Sequence, residues 1–423
     1  MSNGFSKEEK VAFEDILEGF QDALVLSRLV SKYTTDQVSM ERSNNIIWRP
    51  QPYIAQSFNG TDQTSNFVDS IQLSVPATIG FSKASPWVMT ASELRVSLQE
   101  KALGKAARQK LASDINVAVT AVASNQGTLF VKRSAAATGF DDVAQVEAIM
   151  NEQGVNGSDR YLALSTRDYN GMAANLANRS TMTGKPLTAY EKAYVGQIAS
   201  FDTFKLDYAN SLAAAAGGVR TVSTLDAALN YYVPKSTSTA STGETANVDN
   251  RYQTLTVSGT TGVVAGDAFT IANVFACHHI TKGSTGQLKT FRVISVPTST
   301  TLVISPPVIS AQVASPTDAE KAYQNCIVST KSGTAAITWL NTVTASVNPF
   351  WHKDAIEILP GRYATPSDAG AAIMRASTDQ GIELVMQKQY DINTMKTKYR
   401  LDTLFGVVNK QPEMSGIIMF SQT

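Results

Sequence analysis

Apolar side chains at Phe13, Leu17, Phe20 and Leu24 recur at steps of four, three and four, which draws one stripe along a helix. Ser6 and Glu9 stand at the capping-box separation, so this helix is expected to begin there. Its stripe has two natural destinations, the chain's own core or a neighbouring molecule. From Asn45 to about Gly80 the pattern turns extended, with Ile47 and Trp48, the prolines Pro50 and Pro52, and alternation at Ile71, Leu73 and Val75. Phe58-Asn59-Gly60-Thr61 lies between these runs, and Asn-Gly is the pair best suited to the positive φ angles of a tight turn. A long, polar-tipped hairpin is predicted. With so few apolar residues of its own, such an arm is marginal alone and is expected to lie on something else.

The longest regular stretch follows. Thr90 and Glu93 repeat the capping-box spacing, and Leu94, Leu98, Ala102, Leu111, Ile115, Val119 and Val122 keep a helical period until Gly127. At about 1.5 Å per residue such a helix approaches roughly 50 Å, the length of a spine. Gly104 is its weak point and marks either a bend or a close contact. Between Thr128 and Arg220 short strands alternate with helices, Tyr161 to Leu164 reading as a strand and Arg167 to Asn178 as a helix.

The texture then changes, because six of the ten residues from Lys235 to Glu244 are serine or threonine. Over 221–347 charge thins to thirteen residues in 127, and short strands alternate with glycine turns. Leu255 and Val257, Phe269 and Ile271 after Gly266-Asp267, Phe291 and Val293, then Leu302 and Ile304 before Pro306-Pro307 mark the strands. Their spacing predicts a small barrel. Pro349 to Leu359 and Gln380 to Met386 resume mixed strand and helix, so the barrel reads as an insertion. The expected fold class is α+β: a helical N-terminal arm over 1–44, a hairpin arm over 45–88, the spine helix over 89–127 and an α+β domain over 128–220. The inserted β-barrel over 221–347 and a return to the core over 348–423 complete it.

Composition narrows the function. Of 423 residues, 43% are hydrophobic and 17% charged, the balance of a folded chain with a charge-poor surface and sizeable cores. The 36 basic residues match the 36 acidic ones, so no net field draws nucleic acid or an anionic membrane. Lys388, Lys396, Lys398 and Arg400 form the densest basic group and read as a solvated face. Met1 to Lys10 lacks the apolar run of a signal peptide, and no stretch approaches the roughly 20 apolar residues of a membrane span, so a soluble protein is expected.

Catalytic signatures are missing. Gly184-Lys185 lacks the earlier glycine of a phosphate loop and is followed by Pro186, and neither a zinc-protease helix nor a Gly-x-Ser-x-Gly elbow occurs. Only His278, His279 and His352 could titrate near neutral pH. On a strand Cys277 and His279 could share one face, which leaves a four-ligand zinc site incomplete. No catalytic, metal or cofactor site is expected.

The order of parts, together with four stretches, resembles the major coat protein fold of tailed bacteriophages, often named after the Hong Kong 97 phage. It is most similar to the coat proteins of short-tailed lambdoid phages that carry an inserted β-barrel. The stretches are Tyr33 to Trp48, Gln197 to Thr203, Asn247 to Gly262 and Asn348 to Ile358. The third is the most specific, opening Asn247-Val248-Asp249-Asn250-Arg251 and closing Thr260-Thr261-Gly262. The loop before Asn247 carries serine and threonine where that family carries acidic charge, and the loop from Cys277 to Gln287 also differs.

The resemblance implies peripheral and axial domains around the spine and a subunit that assembles with copies of itself into pentamers and hexamers of an icosahedral head. Its implied partners are a scaffolding protein, a portal ring, a decoration protein and packaged double-stranded DNA met through phosphates; no membrane is involved. It also implies assembly in the host cytoplasm and residence in the virion. Candidate contacts between subunits are Phe13, Leu17, Phe20 and Leu24 of the arm, with Trp48, Phe58, Asn59 and Phe67 of the hairpin. Gly80, Gly127 and Gly217-Gly218 are candidate points of adjustment between environments in a curved shell. The alternative class is a secreted fibre or surface-layer protein, whose serine- and threonine-rich β domain would read the same way.

Overall fold

The computed structural model describes residues 5, 7–33, 46–52, 55–64, 66–67, 70–90, 92–93, 97–178, 185–223, 231–313, 315–328, 334–364 and 372–423. The chain forms two compact units, one from Met1–Ile47, Ala77–Thr120 and Ile356–Val408, the other from Trp48–Pro76, Ala121–Ala355 and Asn409–Thr423.

In the first unit the helix Lys7–Ala23 lays Phe13, Ile16, Phe20 and Leu24 into a core, while Leu17 is half-buried. The expected cap residue Ser6 lies outside the described residues, as does most of the Tyr33 to Trp48 stretch. Phe13, Phe20 and Leu24, three of the candidate contacts between subunits, are covered by their own chain in the single subunit. The spine helix, Ser97–Gln126, meets this helix closely: a Cβ on Gly104 would come within 2.7 Å of the Ile16 side chain. Gly104 is a contact glycine. Asn116 fixes the join from both sides, donating to the Ala23 carbonyl at 3.0 Å and accepting from the Leu26 N–H at 3.3 Å.

The spine spans 30 residues, about 45 Å at the usual rise, with Leu111, Ile115 and Val119 buried. Its described residues begin at Ser97. The Thr90 N–H and hydroxyl do donate to the Glu93 carboxylate, at 2.7 and 2.9 Å, but Thr90 ends a strand, Phe81–Thr90, that the periodicity did not reveal. Leu94 falls outside the described residues, and so do the side chains of Leu98 and Ala102.

Phe81–Thr90 runs antiparallel to Lys396–Asn409, which also pairs with Glu383–Asp391, and Ala372–Ser377 follows at the edge. Only Met89 of that strand is buried, so backbone pairing and the stacking of Trp87 on Tyr399, centroids 5.5 Å apart, hold it. A strand of this kind leaves no apolar alternation to read.

The second unit contains a mixed six-stranded sheet in the order Leu129–Lys132, Ser415–Met419, Asn348–His352, Arg160–Ser165, Phe201–Leu206, Gln197–Ile198. The helices Phe140–Glu152 and Thr166–Ala177 contribute Val143, Val146, Met150, Tyr169 and Met172 to its core. Gly127 sits where a Cβ would meet the Ala123 carbonyl at 2.7 Å and the Gly416 backbone at 2.8–2.9 Å. It is a packing position and not a free hinge.

The insert is a closed barrel. Its strands follow the order Arg220–Val222, Ala335–Trp339, Ala268–Cys277, Ser284–Thr298, Thr301–Ser305, Gln253–Thr256, with Cys326–Val328 also on Ala268–Cys277. The ends join through a bridge between Val222 and Val257, with Ser258 N–H donating to Thr221 at 2.9 Å and Ser223 N–H to Thr256 at 3.0 Å. Leu255, Phe269, Ile271, Phe291, Val293, Leu302 and Ile304, the residues that marked the strands, fill one core.

Candidate assembly interface

Among its described residues the hairpin arm pairs at its base, Ile46–Pro50 against Ser74–Thr78, with Trp48 half-buried there. The alternation continues inward at Leu73, Val75, Ala77 and Ile79, all buried. Beyond the base no ladder forms among the described residues. The tip is instead tied locally: Gly60 takes φ +98°, Gln63 Nε2 donates to the Gly60 carbonyl at 2.5 Å, and the Thr64 N–H donates to Asp62 at 3.1 Å. Phe58 and Asn59 are exposed, and Phe67 is 87% exposed. Of the eight candidate contacts, these three present free side chains, with Leu17 and Trp48 partly available.

Two apolar side chains that the sequence reading missed join them. In the turn between Glu383–Asp391 and Lys396–Asn409, Ile392 is 79% and Met395 61% exposed. Several of the basic residues beside them are paired within the chain. Lys388 pairs with Glu9, Lys398 with Asp391 at 3.3 Å and Arg400 with Asp402 at 2.6 Å.

The insert is fastened to the rest of its unit by polar groups taken out of water. Lys289 reaches out of the barrel to the carboxylate of Glu413 and to Gln153 Oε1 at 3.2 Å. Thr290 donates to the Thr128 carbonyl at 2.9 Å, and Arg251 donates to that of Asn409, also at 2.9 Å. Asp267 and Arg292 are buried in the same unit, and Asp267 accepts from Asn341 at 2.9 Å. Burial lowers the Arg292 guanidinium to about 10, partly offset by Asp267, whose own carboxyl burial pushes up.

His279, weighed above as a zinc ligand with Cys277, faces Glu413 instead, its Nε2 3.6 Å from Oε2. Burial holds His279 down to about 4, against the pull of Glu413. Burial works to raise Glu413, but Lys289 and His279 outweigh it and hold the carboxyl below its usual range. Burial also raises the Cys277 thiol, which donates to the Gln324 carbonyl at 3.4 Å. Among the described residues no group of three histidine, cysteine or acidic side chains converges as metal ligands would.

The model of the P22 coat protein, gene protein 5, matches residues 1–421. The chain belongs to the P22 coat protein family. It is a major capsid protein, a component of the virion whose copies build the shell of a phage head. That assignment displaces the fibre or surface-layer reading. Among solved structures, the capsid protein is similar to a chain of Mycobacterium phage Che8, at 10% identity and a TM-score of 0.44, covering 93% of this chain and 90% of that one. It is also similar to the CUS-3 coat protein I-domain at 39% identity, over 29% of this chain and 95% of that one, with a TM-score of 0.22. A virus-like particle from Pyrococcus furiosus matches at 9% identity and a TM-score of 0.39, over 98% of this chain and 100% of that one. No helix among the described residues is long and apolar enough to cross a membrane.

Proposed function

We propose that the capsid protein forms pentamers and hexamers of an icosahedral head around double-stranded DNA, with the hairpin arm lying on a neighbouring subunit. The observation that carries the arm's role is Phe67, an aromatic side chain 87% exposed in the single chain. A bulky apolar group left in water on a segment with only a short paired base gains most by burial against another copy. Ile392 and Met395 at the second exposed turn suit the same use.

The inserted barrel stabilises the subunit through its Lys289–Glu413 anchor and offers neighbouring capsomers the exposed hairpin Thr237–Thr239 and Thr245–Asn247. That hairpin is rich in serine and threonine and carries one acidic residue, Glu244, so its contacts are mainly hydrogen bonds. Scaffolding, portal and decoration proteins complete the partners, DNA is met through phosphates without sequence preference, and assembly takes place in the host cytoplasm. The subunit works by binding and carries out no chemistry.

Purified protein, with and without a scaffolding partner, should yield closed shells by electron microscopy. A chain that stays monomeric at high concentration under both conditions would contradict the reading.

A further inference from the structure

A cavity of about 220 Å³ opens where the base of the hairpin arm, the insert and the chain's last segment come together within the second unit. Leu73, Val155, Pro307, Ile309, Pro412 and Met414 give it a largely apolar wall. An apolar cavity of about 150 Å³ accepts benzene, so this one has room for a six-membered ring with substituents.

One end of the wall is polar. His279 and Glu413 line it, and the buried Nε2 of His279 has no hydrogen-bond partner although Glu413 Oε2 stands 3.6 Å away, too far for a direct bond. Three other polar groups nearby are used: Arg251 holds Asp249 at 2.7 Å, Tyr323 donates to the Ile71 carbonyl at 2.9 Å, and Asn325 donates to the Pro307 carbonyl at 2.9 Å and also hydrogen-bonds Glu413.

Charge decides the ligand's head group. Glu413 is already neutralised by Lys289, and Arg251 by Asp249, so an anion or a cation entering here would find no free counter-charge. A hydroxyl is different. It can accept from a His279 N–H while donating to the Glu413 carboxylate, closing a gap that neither residue closes alone.

The geometry points to a binding site for a neutral, hydroxyl-bearing ring compound of about the size of a methylphenol, with the ring among Leu73, Ile309 and Met414 and the hydroxyl between His279 and Glu413. The low affinity of His279 for a proton agrees with this, since the imidazole stays neutral near pH 7. Occupancy would brace three segments at once and favour the folded subunit by linkage.

The test uses the full chain with carbon-13 methionine methyl groups and 4-methylphenol as probe. The Met414 methyl signal should move saturably, the buried Met419 signal should stay, and toluene should bind at least about tenfold more weakly, the cost of one lost charge-assisted hydrogen bond. His279→Phe keeps the ring but removes the nitrogen, and should abolish that tenfold preference. Ile309→Trp fills the space and should abolish the shift; if that variant does not fold, Val155→Phe serves instead. The proposal fails if Met414 is unmoved at millimolar probe, if toluene and 4-methylphenol bind equally to the unaltered chain, or if the shift survives the filled cavity.

Discussion

Lys289 donates to the carboxylate of Glu413 with both side chains withdrawn from solvent, at 1% and 10% exposure. Removing one partner leaves a buried charge without a counter-ion, which costs about 3–5 kcal/mol. Lys289→Met should therefore lower the unfolding free energy by about that amount, measured by urea denaturation. Lys289→Met with Glu413→Met should recover most of it, because two apolar groups need no partner. An additive double variant would show that the pair is not coupled.

The same site sets a pH dependence. His279 takes a proton near pH 4 in the folded chain and near 6.5 when unfolded. As pH falls from 6.5 to 4 the unfolded state binds the proton first, so folded stability drops, by up to about 3 kcal/mol. Glu413 acts in the same direction: its depressed carboxyl contributes stability above its ordinary range, lost as pH falls through its folded value. His279→Gln should flatten the stability profile between pH 6.5 and 4, read by thermal unfolding at a series of pH values. An unchanged slope would place the titration elsewhere.

Gly416 pairs with Leu129 on one side and Phe350 on the other, and a Cβ there would run into the Leu129 carbonyl oxygen. Backbone cannot step aside as a flexible side chain can. Gly416→Ala should cost at least about 1–3 kcal/mol, the usual range for overpacking, and reduce the soluble yield of full-length protein. Gly80→Ala, where a Cβ would meet nothing within 4 Å, is the matched control and should cost far less.

The barrel closes through Val222 and Val257, and its core residues all come from within the insert, from Val222 to Ile337. A fragment spanning 219–347 should therefore fold alone and give dispersed amide spectra. Its Lys289 then loses Glu413 and becomes solvated, so Lys289→Met should leave the fragment's stability within about 0.5 kcal/mol. Collapsed spectra would make the insert dependent on its host.

How much of this could be read in advance depended on how each residue earns its place. Barrel strands were legible because Phe269, Ile271, Phe291 and Val293 alternate into a core that one face buries. The first helix was legible as a stripe, but a stripe does not say whose core it enters, and Phe20 enters its own. Phe81–Thr90 was hidden because pairing and the Trp87 stack hold it rather than apolar alternation. The Lys289–Glu413 anchor joins residues 124 positions apart, and nothing local marks a lysine that will be buried. Exposed Ile392 and Met395 sat in a turn, where apolar residues carry no periodicity to notice.

Phe67 supplies the sharpest test of the arm. At 87% exposure it fills no space in the single chain, so Phe67→Ser should leave monomer unfolding unchanged within about 0.5 kcal/mol. If the arm lies on a neighbour, the same change removes roughly 1.5–3 kcal/mol of burial at every copy of that contact. A shell repeats the contact many times, so the yield of closed particles should fall steeply while the soluble subunit stays folded. Deleting 58–64, whose described side chains are nearly all exposed, should act the same way with a larger effect. Shell yield by sedimentation and monomer stability by thermal unfolding, measured on the same preparations, separate the two roles. A destabilised monomer with normal shells would place Phe67 in its own core, and the arm would then belong to the subunit rather than to the assembly.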